Sequence, residues 1–317
     1  MKQFLRKWLP EPVQQRLRVW RVKARSLRRF TSGDVRGAAP ETFVKASYQI
    51  MLRRDADPSG LENYVNHLER GTLTQDGVLD EMLTSMELRD IPYRNLLRSQ
   101  HQSRCDFVRL LPRAARILDL GGTDQADDAG ALVSMGYPYP FERLVIIDLP
   151  EDERHELYGY LATSNTVSTP LGPVEYRYHS MVDLSEYPDA SFDLVFSGQT
   201  IEHITKDEAR KMLGEVRRVL APGGWFCVDT PNVRATNLMN PDGTLSNPDH
   251  KIEYTIASLT ELVRDAGFEV TASYGLNDLG DGFERGVWDD AVAAARHGVF
   301  SDADNCVLIA LICRNPQ

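Results

Sequence analysis

The sequence predicts an α/β fold, a mostly parallel seven-stranded sheet with helices on both faces, preceded by a small all-helical domain. Three observations carry this. Seven short apolar runs, at 115–120, 144–147, 174–178, 192–196, 225–228, 270–274 and 307–313, have strand length. Amphipathic stretches such as 206–220 and 256–266 lie between them, and strand–helix alternation at this spacing favours a parallel sheet covered on both sides. Upstream of residue 113 helical periodicity replaces the apolar runs. The 317 residues leave room for two domains.

In chain order, residues 1–30 read as a basic amphipathic helix interrupted by Pro10 and Pro12. Val13, Leu17, Trp20, Ala24 and Leu27 recur at helical spacing and share one face. Arg16, Arg18, Arg21, Lys23, Arg25, Arg28 and Arg29 surround it. The segment holds ten Lys/Arg against one acid, Glu11, so it carries +9 and the rest of the chain −19. Such a helix suits an anionic membrane surface or a glycan-assembly protein. The acidic body argues against a nucleic-acid partner, which needs a basic groove for phosphates. Residues 31–40 are small, polar and Gly/Pro-bearing, as in a linker.

Residues 41–90 predict helices at 41–53, 61–69 and 74–89. Asp55-Ala56-Asp57-Pro58-Ser59-Gly60 begins like a calcium loop, but the twelfth position is Asn66, so the segment is read as a turn. A connecting helix at 91–112 leads to the α/β domain, 113–317. Cys105, Cys227, Cys306 and Cys313 form no C-x-x-C pair, which predicts free thiols in a reducing compartment. No run approaches the ~20 apolar residues of a membrane span, and no signal-peptide core is visible. The expectation is a cytoplasmic protein, peripheral at the inner face of the membrane.

The chemistry concentrates where strands end. Ile117-Leu118-Asp119-Leu120-Gly121-Gly122-Thr123 is a strand running into a glycine turn, which allows close backbone approach to a ligand. Strand C-termini are where open α/β sheets bind ligands. A second strand ends in Asp148, whose carboxylate can accept both ribose hydroxyls of a nucleoside cofactor. G-x-G-x-x-G is absent, which disfavours a nicotinamide enzyme.

Further along stand Phe192-Asp193-Leu194-Val195, Glu202-His203, and Arg217-Arg218-Val219-Leu220-Ala221-Pro222-Gly223-Gly224. With the turn at Asp119, these closely resemble the Rossmann-like class I S-adenosylmethionine-dependent methyltransferases over about residues 115–275. The resemblance implies S-adenosylmethionine as cofactor, with Asp119, Gly121, Gly122 and Thr123 at its methionine part and Asp148 and Leu149 at the ribose. Met181, Val182 and Asp183 are implied at the adenine, and Ser197 also lines the cofactor site. Thr123 and Gln125 depart from the family's later glycines. Tyr48 to Tyr64, Y-x-x-x-L-R-R-x-x-D-P-x-G-L-x-x-Y, resembles the DUF4214 module, which accompanies enzymes of bacterial surface polysaccharides.

Gln199-Thr200-Ile201-Glu202-His203 is similar to the E-x-x-E-H motif of ubiquinone-pathway O-methyltransferases and small-RNA 2′-O-methyltransferases, with Gln199 in place of the first Glu. The similarity implies a divalent metal such as Mg²⁺ held by Glu202, His203 and His250. His203 or His250 is the expected catalytic base, with Asp229 next. The polar insert 233–253 reads as a substrate loop, and 278–301 as a further wall. Together these predict O-methylation of a sugar hydroxyl on a surface polysaccharide or glycolipid. The alternatives are a quinone-like acceptor, which predicts an apolar acceptor pocket where this insert is polar, and a non-catalytic cofactor-binding scaffold.

Overall fold

The computed structural model describes residues 37–52, 54–124, 126–150 and 165–316. The basic segment 1–30, most of the linker, and Gln125 lie outside the described residues. The chain divides into two compact units between Arg94 and Asn95. Among the described residues no helix is long and apolar enough to cross a membrane.

The first unit holds α1 (Pro40–Ser47), a π-helical turn (Tyr48–Leu52), α2 (Pro58–Glu69) and α3 (Gln75–Thr84). Phe43, Val44, Met51, Val78, Leu79 and Met82 form its core. The 55–60 segment is a helix start: Asp57 Oδ1 accepts from the Gly60 N–H at 2.7 Å and from the Ser59 hydroxyl at 2.7 Å, an N-cap that satisfies orphan donors. A Cβ on Gly60 would collide with the Tyr48 hydroxyl. The Tyr–Asp–Gly spacing of the DUF4214-like motif is therefore a packing requirement. The helix expected at 74–89 breaks at Ser85, whose backbone is extended (φ −63°, ψ 146°). A new helix, α4 (Met86–Val108), then runs through the connecting segment and past the division.

The second unit is built on one sheet. Its strands are β1 (Arg116–Leu120), β2 (Arg143–Asp148), β3 (Thr166–Thr169), β4 (Gly172–Tyr178), β5 (Phe192–Gly198), β6 (Leu220–Pro231), β7 (Glu269–Asp278), β8 (Val299–Phe300) and β9 (Cys306–Arg314), in the order β3-β4-β2-β1-β5-β6-β9-β7-β8. All seven expected runs are strands. The sheet has nine rather than seven because β3 and β8 add antiparallel edges. Neither shows a strand signal: β3 is the polar Thr-Val-Ser-Thr and β8 has two residues. From β4 to β6 every pairing is parallel, and β9 runs antiparallel between β6 and β7.

Period-two alternation sends Ile117, Leu144, Leu194 and Phe196 to one face and Leu118, Leu120, Val145, Val195 and Phe226 to the other. The first face is covered by Phe107 and Val108 of α4 and by Leu132 of α5 (Ala131–Ser134). The second is covered by Ala209, Met212, Leu213 and Val216 of α6 (Lys206–Val219) and by α8 (Ile256–Asp265). Thr205 and Glu208 close a capping box at the start of α6. That helix stops at Val219, ahead of Pro222, since a residue before proline is pushed out of the helical region. β6 begins at Leu220, five residues earlier than expected, and Gly223 (φ +73°) takes up an irregular stretch of that strand.

The insert is not wholly irregular: α7 (Val233–Met239) occupies its first part, capped by Asn232. The 278–301 segment forms α9 (Gly282–Arg285), α10 (Asp290–Ala295) and β8. It is tied to α4, where Ser103 Oγ accepts the Gly298 N–H at 2.8 Å and the neighbouring Asn277 amide donates to Ser99 Oγ at 2.8 Å. The four cysteines are buried free thiols.

Candidate functional site

The C-terminal ends of β1, β5 and β6 lie side by side. Leu120 pairs with Ser197, and Ser197 with Val228. The Thr200 hydroxyl donates to the Leu120 carbonyl at 2.9 Å, drawing the loop after β5 against the turn after β1. That turn needs its glycines. Gly121 has φ +76°, and a Cβ on Gly122 would collide with the Asp119 carboxylate. Asp119 is fully buried. Desolvation, reinforced by the charges of Asp148 and Asp229 and opposed by Arg104 and by a backbone hydrogen bond at Leu132, pushes its carboxyl up to about 7. Among the described residues Asp119 Oδ2, Thr123 Oγ1 and Ser197 Oγ are buried with no hydrogen-bond partner, and buried polar groups rarely stay unsatisfied in folded proteins.

Asp148 closes β2 and accepts the Leu149 N–H at 2.8 Å; the Leu149 side chain is exposed. Beyond β4, Met181 and Val182 are partly buried against the second core layer. Asp183 turns outward and accepts the Ser185 N–H at 3.1 Å, a bond that with the Ser185 hydroxyl holds its carboxyl below the usual range. Its side chain thus takes part in the local turn.

The second cluster begins at the 3₁₀ turn Ile201–His203. Glu202 is fully buried; its Oε2 accepts the Thr230 hydroxyl at 2.9 Å and its Oε1 has no partner. Desolvation pushes this carboxyl up to about 7. The Glu202 carbonyl accepts the Lys251 N–H at 2.8 Å and the Ile252 N–H at 3.3 Å, which pins the far end of the insert to the turn. His250 is thereby set edge-to-face on His203, ring centroids 4.8 Å apart. Burial lowers the proton affinity of His203, the charge of His250 lowers it further, and Asp249 pulls the other way. Ligand atoms of Glu202, His203 and His250 lie within 4.8 Å of one another, so the structure brings together the three residues the sequence had grouped.

Two participants were missed. Glu253, whose side chain has no solvent exposure, accepts from His250 Nδ1 at 2.7 Å. Desolvation would raise its carboxyl, but bonds from His250, Ser246 and Thr236 outweigh it and hold the group below the usual range. Arg104 of α4 donates to Asp229 through Nε at 2.7 Å and Nη2 at 3.4 Å, and the Gln199 amide donates to the same carboxylate at 2.8 Å. Asp229, expected as a reserve base, is held by an ion pair and an amide. Gln199 adopts φ +56° to reach it, which accounts for the departure from a glutamate there: a carboxylate in that position would face Asp229. A glutamate three residues after a histidine was a legible signal; an arginine 125 positions from its partner was not.

Residues 140–228 match a family described as a methyltransferase domain, and residues 30–90 match DUF4214, a domain of unknown function. A protein of Mycolicibacterium smegmatis named as a probable S-adenosylmethionine-dependent methyltransferase is 45% identical over 103 residues, 32% of this chain and 38% of that relative. A Mycobacterium tuberculosis protein of the same designation is 45% identical over 89 residues, 28% of this chain and 31% of its own length. The matched region thus spans less than two fifths of either relative. A SAM-dependent methyltransferase structure from Thermotoga maritima aligns at TM-score 0.48 and 17% identity, over 80% of this chain and 97% of that one.

The fold and the glycine turn at the end of β1 define a class I methyltransferase domain. Residues 140–228 are similar to methyltransferase domains, part of the chain is similar to proteins named as probable S-adenosylmethionine-dependent methyltransferases, and residues 30–90 match the DUF4214 module. The cofactor this implies fits the residues present. The buried oxygens of Asp119, Thr123 and Ser197, without a partner among the described residues, would supply its polar contacts.

Proposed function

We propose that the chain is an O-methyltransferase and that its acceptor is a sugar hydroxyl of a bacterial surface polysaccharide or glycolipid. The observation that carries the O-transfer reading is the half-buried pair His203 and His250 beside the buried Glu202, close to the turn after β1. S-adenosylmethionine would supply an electrophilic methyl group: the acceptor oxygen bonds to the methyl carbon, the sulfur–carbon bond breaks, its electron pair stays on sulfur, and the hydroxyl proton must leave. The imidazole of His203, kept neutral by burial, can take that proton at neutral pH. His250, seated on it, is the alternative acceptor. Asp119 and the glycine turn would hold the methionine part, and Asp148 the ribose.

Glu202 Oε1, buried without a partner among the described residues, and one nitrogen each from His203 and His250 would also offer three ligands to a divalent ion; two imidazoles make the set a weak one for Mg²⁺. A metal held there would lower the acceptor hydroxyl's pKa. The glycan acceptor is supported by the DUF4214 match and by the polar stretch 240–253, an associational argument. Residues 1–30 would hold the protein against the anionic inner face of the membrane.

The test is cofactor binding by calorimetry, followed by methyl transfer to crude cell-surface glycan. His203→Ala or His250→Ala is expected to lower turnover by about 10²–10⁴-fold, with cofactor affinity kept. If a metal is used, Glu202→Gln falls with them and chelator inactivates reversibly. Near-wild-type turnover in both histidine variants would exclude either role.

A further inference from the structure

Glu253 carries a carboxylate whose side chain has no solvent exposure. Its Oε2 accepts the Thr236 hydroxyl. Its Oε1 accepts the Ser246 N–H at 2.9 Å, the Ser246 hydroxyl at 2.6 Å, and meets His250 Nδ1 at 2.7 Å. A backbone N–H is always a donor, so Oε1 is an acceptor at this point. With Thr236 and Ser246 donating three bonds to it, the group is held as a carboxylate that can only accept, so a neutral imidazole bonded to it carries its proton on Nδ1. Free imidazole side chains favour the proton on Nε2, the opposite arrangement.

We infer that Glu253 is a positioning residue that fixes His250 as the Nδ1–H tautomer and leaves the Nε2 lone pair free for the reaction centre. Ser246 and Thr236 hold Glu253, Glu253 holds the ring, and the Glu202 carbonyl holds the backbone at Lys251 and Ile252. A histidine serving as base or as ligand needs an unprotonated nitrogen, and which nitrogen that is depends on the bond made by the other. The role follows for either use of His250 and rests on the proposed O-transfer only in giving that lone pair a task.

The test is ¹⁵N–¹H NMR of the full-length labelled protein, at a pH where its imidazoles are neutral, with His250 assigned by the resonances lost in His250→Asn. The wild type is expected to show His250 predominantly protonated on Nδ1, with a downfield Nδ1 proton. Glu253→Ala is expected to move it predominantly to the Nε2–H form. Glu253→Gln, which keeps the volume and removes the charge, is expected to shift the Nδ1 proton upfield, and it decides the matter if the alanine variant does not fold. A wild-type His250 protonated on Nε2, a folded alanine variant that stays Nδ1–H, or an unshifted proton in the glutamine variant would each overturn the assignment. Calorimetry on the same wild-type sample separates the two claims: absence of S-adenosylmethionine binding would sink the methyltransferase reading and leave the tautomer result standing.

Discussion

Asp119 is a carboxyl group that the native chain shields from water, and its chemistry follows from that. Free aspartate titrates near about 3.9, whereas desolvation carries Asp119 up to about 7. The folded protein thus holds this proton more tightly than the unfolded chain. The stabilisation is fully present below about pH 4 and is lost as pH rises to about 7. Calorimetric scans of cofactor-free protein should show Asp119→Asn melting progressively higher than wild type as pH rises across that window. A difference independent of pH would contradict it. Asp148 is expected to act on the cofactor rather than on stability: Asp148→Ala should weaken S-adenosylmethionine binding by about 1–3 kcal/mol, read by titration calorimetry. Unchanged affinity in a folded variant would remove the ribose assignment. Both aspartates were legible in the sequence, because each closes a buried strand at a ligand-binding edge.

Helix α4 shows what one element contributes to another. Its apolar side packs Phe107 and Val108 on the sheet, and its polar side delivers Arg104 to the buried end of β6. Asp229 has no solvent exposure, so Arg104 is the charge that compensates it. Removing one partner of such a pair typically costs about 3–5 kcal/mol. Arg104→Gln is expected to lower the unfolding free energy by that order in urea titrations; a change under about 1 kcal/mol would show that the Gln199 amide suffices. The helix itself could be read from periodicity, but its role could not. The insert behaves similarly. Its polar composition predicted a loop, and α7 forms because Asn232 caps it and Ala235 reaches the core.

For the molecule as a whole, the division between Arg94 and Asn95 separates a helical module from a complete α/β core. The basic segment 1–30 precedes both and is expected to act independently of catalysis. Its deletion should abolish co-sedimentation with anionic liposomes, added salt should weaken wild-type binding, and methyl transfer to a soluble acceptor should survive. Full-length protein that ignores such liposomes at low salt would end the membrane reading. The sequence by itself determined the class of fold and marked the strand ends at which a cofactor is expected. Those depend on local signals: buried strands of a few apolar residues, glycines where Cβ atoms cannot fit, caps and proline stops. Only the tertiary structure decided that Asp229 is ion-paired, that Gln199 serves it, that Asp183 turns outward, and that Glu253 orients His250. Each of these depends on which groups meet in space after burial has removed water as a partner, and no local pattern encodes a contact between residues 104 and 229.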